Sequence, residues 1–148
     1  MRRVLATILV AFIAVTAPAF ASPDPGCALS TRNDDVTTFR DLPAALRKLL
    51  APMAEPGAPF NKTDVVERGL PGRRLIRAGH RNNVWFVLYE QGGVAYSWRV
   101  TVAEVADTNE AKVLVNKWIP VAWRDGRWTA QADVCALIED GLAARNPD

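Results

Sequence analysis

Residues 84–102 read VWFVLYEQGGVAYSWRVTV, and the period of this stretch decides the fold. β-Branched and aromatic residues alternate on both sides of a Gly-Gly pair, which is the pattern of two antiparallel strands, 84–89 and 94–102, joined by a tight turn. A two-residue turn at Gln91-Gly92 or Gly92-Gly93 puts Trp85, Val87 and Tyr89 on the same face as Tyr96, Trp98 and Val100. A three-residue loop mismatches the faces unless a bulge intervenes. Working outward, residues 73–78 read as a preceding strand turned around at 79–83, and 113–123 as a following one. Val113, Val115, Ile119, Val121 and Trp123 fall on one side of the latter, and Pro120 marks an edge or a bulge because it cannot donate a ladder bond. Asp125-Gly126 suits a type I′ turn that sets Trp123 opposite Trp128.

Helical spacing brackets these strands. Asp41 can cap a short helix with Pro43 in its first turn; Leu42, Leu46, Leu49 and Leu50 form its stripe, and Pro52 stops it. Residues 130–144 form a second helix with Val134, Leu137, Ile138 and Leu142 on its apolar face. The expected fold is α+β: a four- to five-stranded antiparallel meander with an N-terminal and a C-terminal helix packed on one face. Residues 52–72 hold four prolines and three glycines. Connections of this length are usually functional or else mobile. Asn61-Lys62-Thr63 within them matches the N-glycosylation sequon, which matters only in a glycosylating pathway.

The N-terminus reads as an export signal. Arg2 and Arg3 precede a 14-residue apolar or small-residue run, 4–17, and Ala19-Phe20-Ala21 is a small-x-small cleavage site. The run is shorter than the roughly 20 residues of a membrane-spanning helix. The expected organisation is a signal peptide at 1–21, an extended arm at 22–40 and one α+β domain at 41–148, exported to a periplasm or secreted, with no membrane span after cleavage. Cys27 and Cys135 are the only cysteines, and in an oxidising compartment they are expected to close a disulfide. Its loop of over 100 residues is worth about 4 to 5 kcal/mol in the chain-entropy model.

Cleavage would leave 16 basic and 16 acidic residues, a balance that argues against nucleic-acid binding. The charge is nonetheless segregated. Residues 62–99 carry seven basic against three acidic side chains, and 100–148 five against eight. All five tryptophans fall in the strand region, most of them on the expected core face. The opposite face collects Val84, Phe86 and Leu88 with Arg99 and Thr101, joined by Arg73, Leu75 and Arg77 if the first strand turns through Arg81-Asn82. With a Gly92-Gly93 turn, Arg77, Phe86 and Arg99 form one cross-strand row able to make cation–π contacts and to donate to an anion. Trp118 belongs to the same side by parity. The candidate binding residues are therefore Arg73, Arg77, Phe86, Arg99 and Trp118.

No nucleophile elbow, phosphate-binding glycine loop or metal-ligand spacing is visible, and no cofactor, metal or catalytic residue is assigned. The leading expectation is a non-enzymatic exported protein that binds a protein partner or an anionic envelope component through this face and the 52–72 loop. An alternative is a small-molecule enzyme or carrier whose pocket lies between sheet and loop, with His80 and either Asp64 or Glu67 in acid–base roles. Self-association of the same face into a homodimer is a third reading.

Overall fold

The computed structural model describes residues 33–143. The signal peptide expected at 1–21, most of the arm at 22–40, and Cys27 lie outside the described residues, as does 144–148. The main sheet is an antiparallel meander of four long strands: β2 (Arg73–Arg81), β3 (Val84–Gln91), β4 (Ser97–Val105) and β5 (Ala111–Ile119). A short strand from the arm, β1 (Asn33–Val36), pairs with the outer edge of β2. A separate hairpin, β6 (Val121–Arg124) with β7 (Arg127–Ala130), follows β5. Helix α1 (Ala44–Leu50) precedes β2, and α2 (Val134–Ala143) follows β7.

Several local expectations hold. Asp125 and Gly126 take φ of 49° and 77°, as a type I′ turn requires, and Trp123 pairs with Trp128. Pro120 breaks the expected 113–123 strand into β5 and β6, since it lacks the N–H a continuous ladder needs. Asp41 does not cap α1. It sits in a 3-10 turn, Phe39–Asp41, where its carboxylate accepts from the Thr38 hydroxyl at 2.5 Å. Pro43 takes the cap position instead. The 130–144 helix begins four residues late, because Ala130 still pairs with Val121; Asp133 then accepts from the Ala136 N–H at 3.0 Å.

The main correction concerns register and faces. The β3–β4 connection is neither of the two-residue turns but a five-residue loop, Gly92 to Tyr96, which sets Glu90 opposite Trp98 and Gln91 opposite Ser97. An odd loop exchanges the faces of β4 relative to β3. Phe86 and Leu88 therefore share a face with Trp98, Val100 and Val102, and Val87 and Tyr89 share the other with Arg99, Thr101 and Ala103. A second irregularity, a bulge at Ile76 in β2, leaves Arg73 and Leu75 with Tyr89 but moves Arg77 to the face of Leu88.

Each face carries its own core and its own helix, so the helices do not pack on one face as expected. Leu42, Leu46 and Leu50 of the α1 segment cover Leu75, Ala78, Val87, Tyr89 and Ala103. Val134, Ile138 and Leu142 of α2 cover Phe86, Leu88, Val100, Val102 and Ile119 on the opposite face. Gly141 permits the close approach of α2, since a Cβ there would lie 2.5 Å from Val102 Cγ2. A sheet buried on both sides explains why 84–90 reads as a nearly continuous apolar run.

Helix α1 crosses its face diagonally. The Ala45 N–H near its start donates to Asn109 Oδ1 in the β4–β5 turn at 3.1 Å, and the Leu50 carbonyl at its end accepts from Arg73 at the start of β2 at 3.2 Å. Off this diagonal, at the β5 corner where β3 turns into β4, Arg99 lies beside Trp118, which is 55% exposed.

Candidate functional site

Two groupings of arginine with aromatic rings lie at the end of the sheet where β3 turns into β4. The first is buried. Glu90 extends the Phe86–Leu88 face and is 1% exposed, so its charge requires partners. Arg74, directly opposite on β2, donates its Nε–H to Glu90 Oε2, and the Tyr96 hydroxyl donates to Oε1. Trp98 Nε1 donates to the Tyr96 oxygen at 3.2 Å, and Arg74 Nη1 to the Ala58 carbonyl at 3.2 Å. The Arg74 guanidinium also stands 4.6 Å from the centre of the Phe60 ring.

The 52–72 loop closes over this network. Asn61 is buried, and its side chain binds three backbone groups: Nδ2 donates to the Glu67 and Leu70 carbonyls at 3.1 and 2.7 Å, and Oδ1 accepts from the Glu67 N–H at 2.7 Å. The sequon asparagine thus serves as the loop's internal staple. Lys62 then lies 4.5 Å over the Tyr96 ring and 5.3 Å from that of Trp128. Burial lowers the Lys62 pKa from its ordinary value of 10.5, with the Glu90 charge opposing the shift. Burial, reinforced by the hydrogen bond to Glu90, raises that of Tyr96.

The second grouping is open. Tyr89, Arg99 and Trp118 form one cross-strand row on the α1 face, and Trp118 is 55% exposed. Arg73 stands 5.9 Å from the Tyr89 ring and donates to Gln91 Oε1 at 3.1 Å as well as to the Leu50 carbonyl. Arg99 makes a long contact, 3.5 Å, with the neutral Asn116 amide. Three of the five expected binding residues, Arg73, Arg99 and Trp118, therefore do share a face.

The other two do not join them. Phe86 is fully buried in the α2 core, and Arg77 is a buried residue on that same side, because the five-residue loop and the Ile76 bulge both change face. The Arg77–Phe86–Arg99 row is thereby corrected. The acid–base pairing of His80 with Asp64 or Glu67 is not formed either. His80 stacks on Trp85 at 4.4 Å and its Nδ1 lies 3.0 Å from the Asn82 carbonyl at one end of β2. The loop carrying Asp64 and Glu67 is anchored at the other end, through the Asn61 N–H to Pro71 and the Gly92 N–H to Gly72. Eight residues of strand, about 26 Å at 3.3 Å per residue, separate the two ends.

The buried network was missed in the sequence, although a signal for it exists. Glu90 has the parity of Phe86 and Leu88, and a carboxylate in register with two core residues implies a buried cation nearby. The staple role of Asn61 has no such signal. Among the described residues no group of three metal-ligating side chains occurs, and no helix is long and apolar enough to cross a membrane. No protein-family model, curated protein or solved structure matches the chain.

Proposed function

We propose that this is an exported, non-enzymatic binding protein that recognises a protein partner or an anionic envelope component through Arg73, Arg99 and Trp118. The observation that carries this reading is the Arg99–Trp118 cross-strand pair, standing off the α1 diagonal with its indole 55% exposed. A guanidinium whose described hydrogen bond is to a neutral amide retains donors for a carboxylate or phosphate, and the adjacent half-exposed indole supplies apolar contact area. Arginine and tryptophan are the residues most often found to dominate binding energy at interfaces. Arg73 is braced by Gln91 and Leu50 and offers a second positive charge beside Tyr89.

Export completes the reading. The leader at 1–21 would be removed, and Cys27 would bridge to Cys135 on α2, tying the arm to the domain. Native mass spectrometry of the non-reduced protein from an exported fraction tests the whole proposal. The expected result is a chain beginning at Ser22, two protons lighter than its reduced form, carrying an added mass that Arg99→Ala lacks. Retention of the same added mass by Arg99→Ala overturns the assignment of this corner.

A further inference from the structure

We propose that the Tyr96 and Trp128 rings form a cage for a small, soluble quaternary ammonium ion, which enters by displacing the Lys62 side chain seated there. The Lys62 ammonium marks the site. Its nitrogen lies 4.5 Å from the centre of the Tyr96 ring and 5.3 Å from that of Trp128, and the two ring centres stand 4.6 Å apart at 52°. Both distances fall within the roughly 6 Å over which a ring face attracts a cation. Among the described residues this ammonium makes no hydrogen bond and no ion pair. The site therefore offers ring faces to a positive charge and no acceptor to a donor.

That combination selects the ligand. A lysine ammonium carries three N–H donors and is strongly hydrated, so seating it on rings alone leaves those donors without the acceptors that water provides. Burial accordingly lowers the Lys62 pKa. A quaternary nitrogen has no N–H to satisfy, and its methyl groups make dispersion contacts with the rings while its charge faces them. A nitrogen at 4.5 and 5.3 Å from the two centres leaves room for methyl groups at the usual carbon–carbon separation of about 3.5 to 4.0 Å. Exchange returns the half-buried Lys62 head to water on its flexible stem. The rings are fixed beforehand. The Tyr96 hydroxyl is tied to Glu90 and Trp98, and Trp128 pairs with Trp123 across the β6–β7 hairpin, ring edge to face at 5.3 Å. Little ordering is then left for the ligand to impose. Tyr96 packs against the α2 core, whereas Arg99 and Trp118 lie on the α1 face, so this proposal stands independently of that corner.

Proton NMR of tetramethylammonium and of choline, titrated with the purified protein, tests the proposal. Their methyl signals should move upfield and saturate, as protons held over ring faces do, and ammonium chloride at equal concentration should not compete. Lys62→Ala empties the cage without touching either ring. It should tighten tetramethylammonium binding about three- to thirtyfold, a gain that misfolding cannot mimic. Trp128→Leu should weaken binding by about threefold or more, with an unchanged circular dichroism spectrum. Absence of a saturable shift with wild type overturns the proposal, even if Lys62→Ala binds, since the lysine would then be the permanent occupant. Equal or weaker binding by Lys62→Ala, or wild-type binding by Trp128→Leu, overturns it as well. Binding to phosphatidylcholine vesicles but not to free choline would overturn the assignment to a soluble ligand.

Discussion

Arg74 and Arg99 both stand beside aromatic rings near the same end of one sheet, yet their surroundings differ in every other respect. Arg74 faces a carboxylate that is 1% exposed, a carbonyl and a ring, and every polar group around it has a partner. Arg99 faces a neutral amide at 3.5 Å and an indole that is more than half exposed. A buried ion pair tolerates no vacancy, because either charge alone is left desolvated. An arginine beside a half-exposed indole loses little when its neighbour changes. Residue type alone therefore does not mark a site; the number of unsatisfied donors and the access to them do. The first grouping is closed, and the second keeps guanidinium donors beside a half-exposed indole.

The largest test of this contrast is Glu90→Ala, which strands Arg74 and the Tyr96 hydroxyl. We expect a loss of about 3 to 5 kcal/mol in urea unfolding, the usual consequence of removing one member of a buried pair. Next is Gly92→Ala, whose methyl would meet the Asn61 carbonyl at 1.8 Å. Backbone must shift to admit it, and about 1 to 3 kcal/mol should be lost, with faster hydrogen exchange in the 61–70 loop.

Tyr96→Phe probes the same network by pH. In wild type the folded-state pKa of Tyr96 lies above its ordinary value of 10. Its contribution is therefore intact below about pH 10 and is lost as pH rises beyond that, where the unfolded chain gives up the proton first. The shift at Lys62 works in the opposite sense, since a lowered pKa makes stability rise as pH approaches 10.5. Tyr96→Phe should cost about 1 to 3 kcal/mol at neutral pH, through the Glu90 and Trp98 hydrogen bonds. It should also flatten the alkaline fall measured by unfolding from pH 8 to 11. A wild-type-like alkaline limb in the variant would remove Tyr96 from the network.

Smaller effects sharpen the other side of the comparison. Thr101 is buried on the α1 face, and its hydroxyl has no partner among the described residues. Thr101→Val should raise the unfolding free energy by about 1 kcal/mol, since it removes an unsatisfied group at nearly constant volume. Smallest of all, Arg99→Ala and Trp118→Ala should change stability by no more than about 0.5 kcal/mol each. A large loss for either would mean that the corner is part of the core.

How much of this was legible follows from how local each signal is. The Asp125-Gly126 turn, the Pro120 break and the α2 stripe were readable because a few adjacent residues determine them. The two-faced sheet was not. Three extra loop residues between Gln91 and Ser97 and one bulged residue at Ile76 each invert parity, and neither leaves a mark in composition. Arg73, Arg99 and Trp118 share one face even so, while Phe86 and Arg77 lie on the other. The network escaped because Arg74, Glu90 and Tyr96 meet only once the register is known, and Asn61 acts through backbone groups that no side-chain pattern announces.

The most direct test of the central claim is photo-crosslinking in exporting cells, with a photoreactive residue at position 118 and a control at Leu49, an exposed position on α1. The account predicts a discrete adduct from position 118 that disappears with Arg99→Ala, and none from position 49. An adduct of equal yield from both positions, or one from 118 that persists without Arg99, would contradict it.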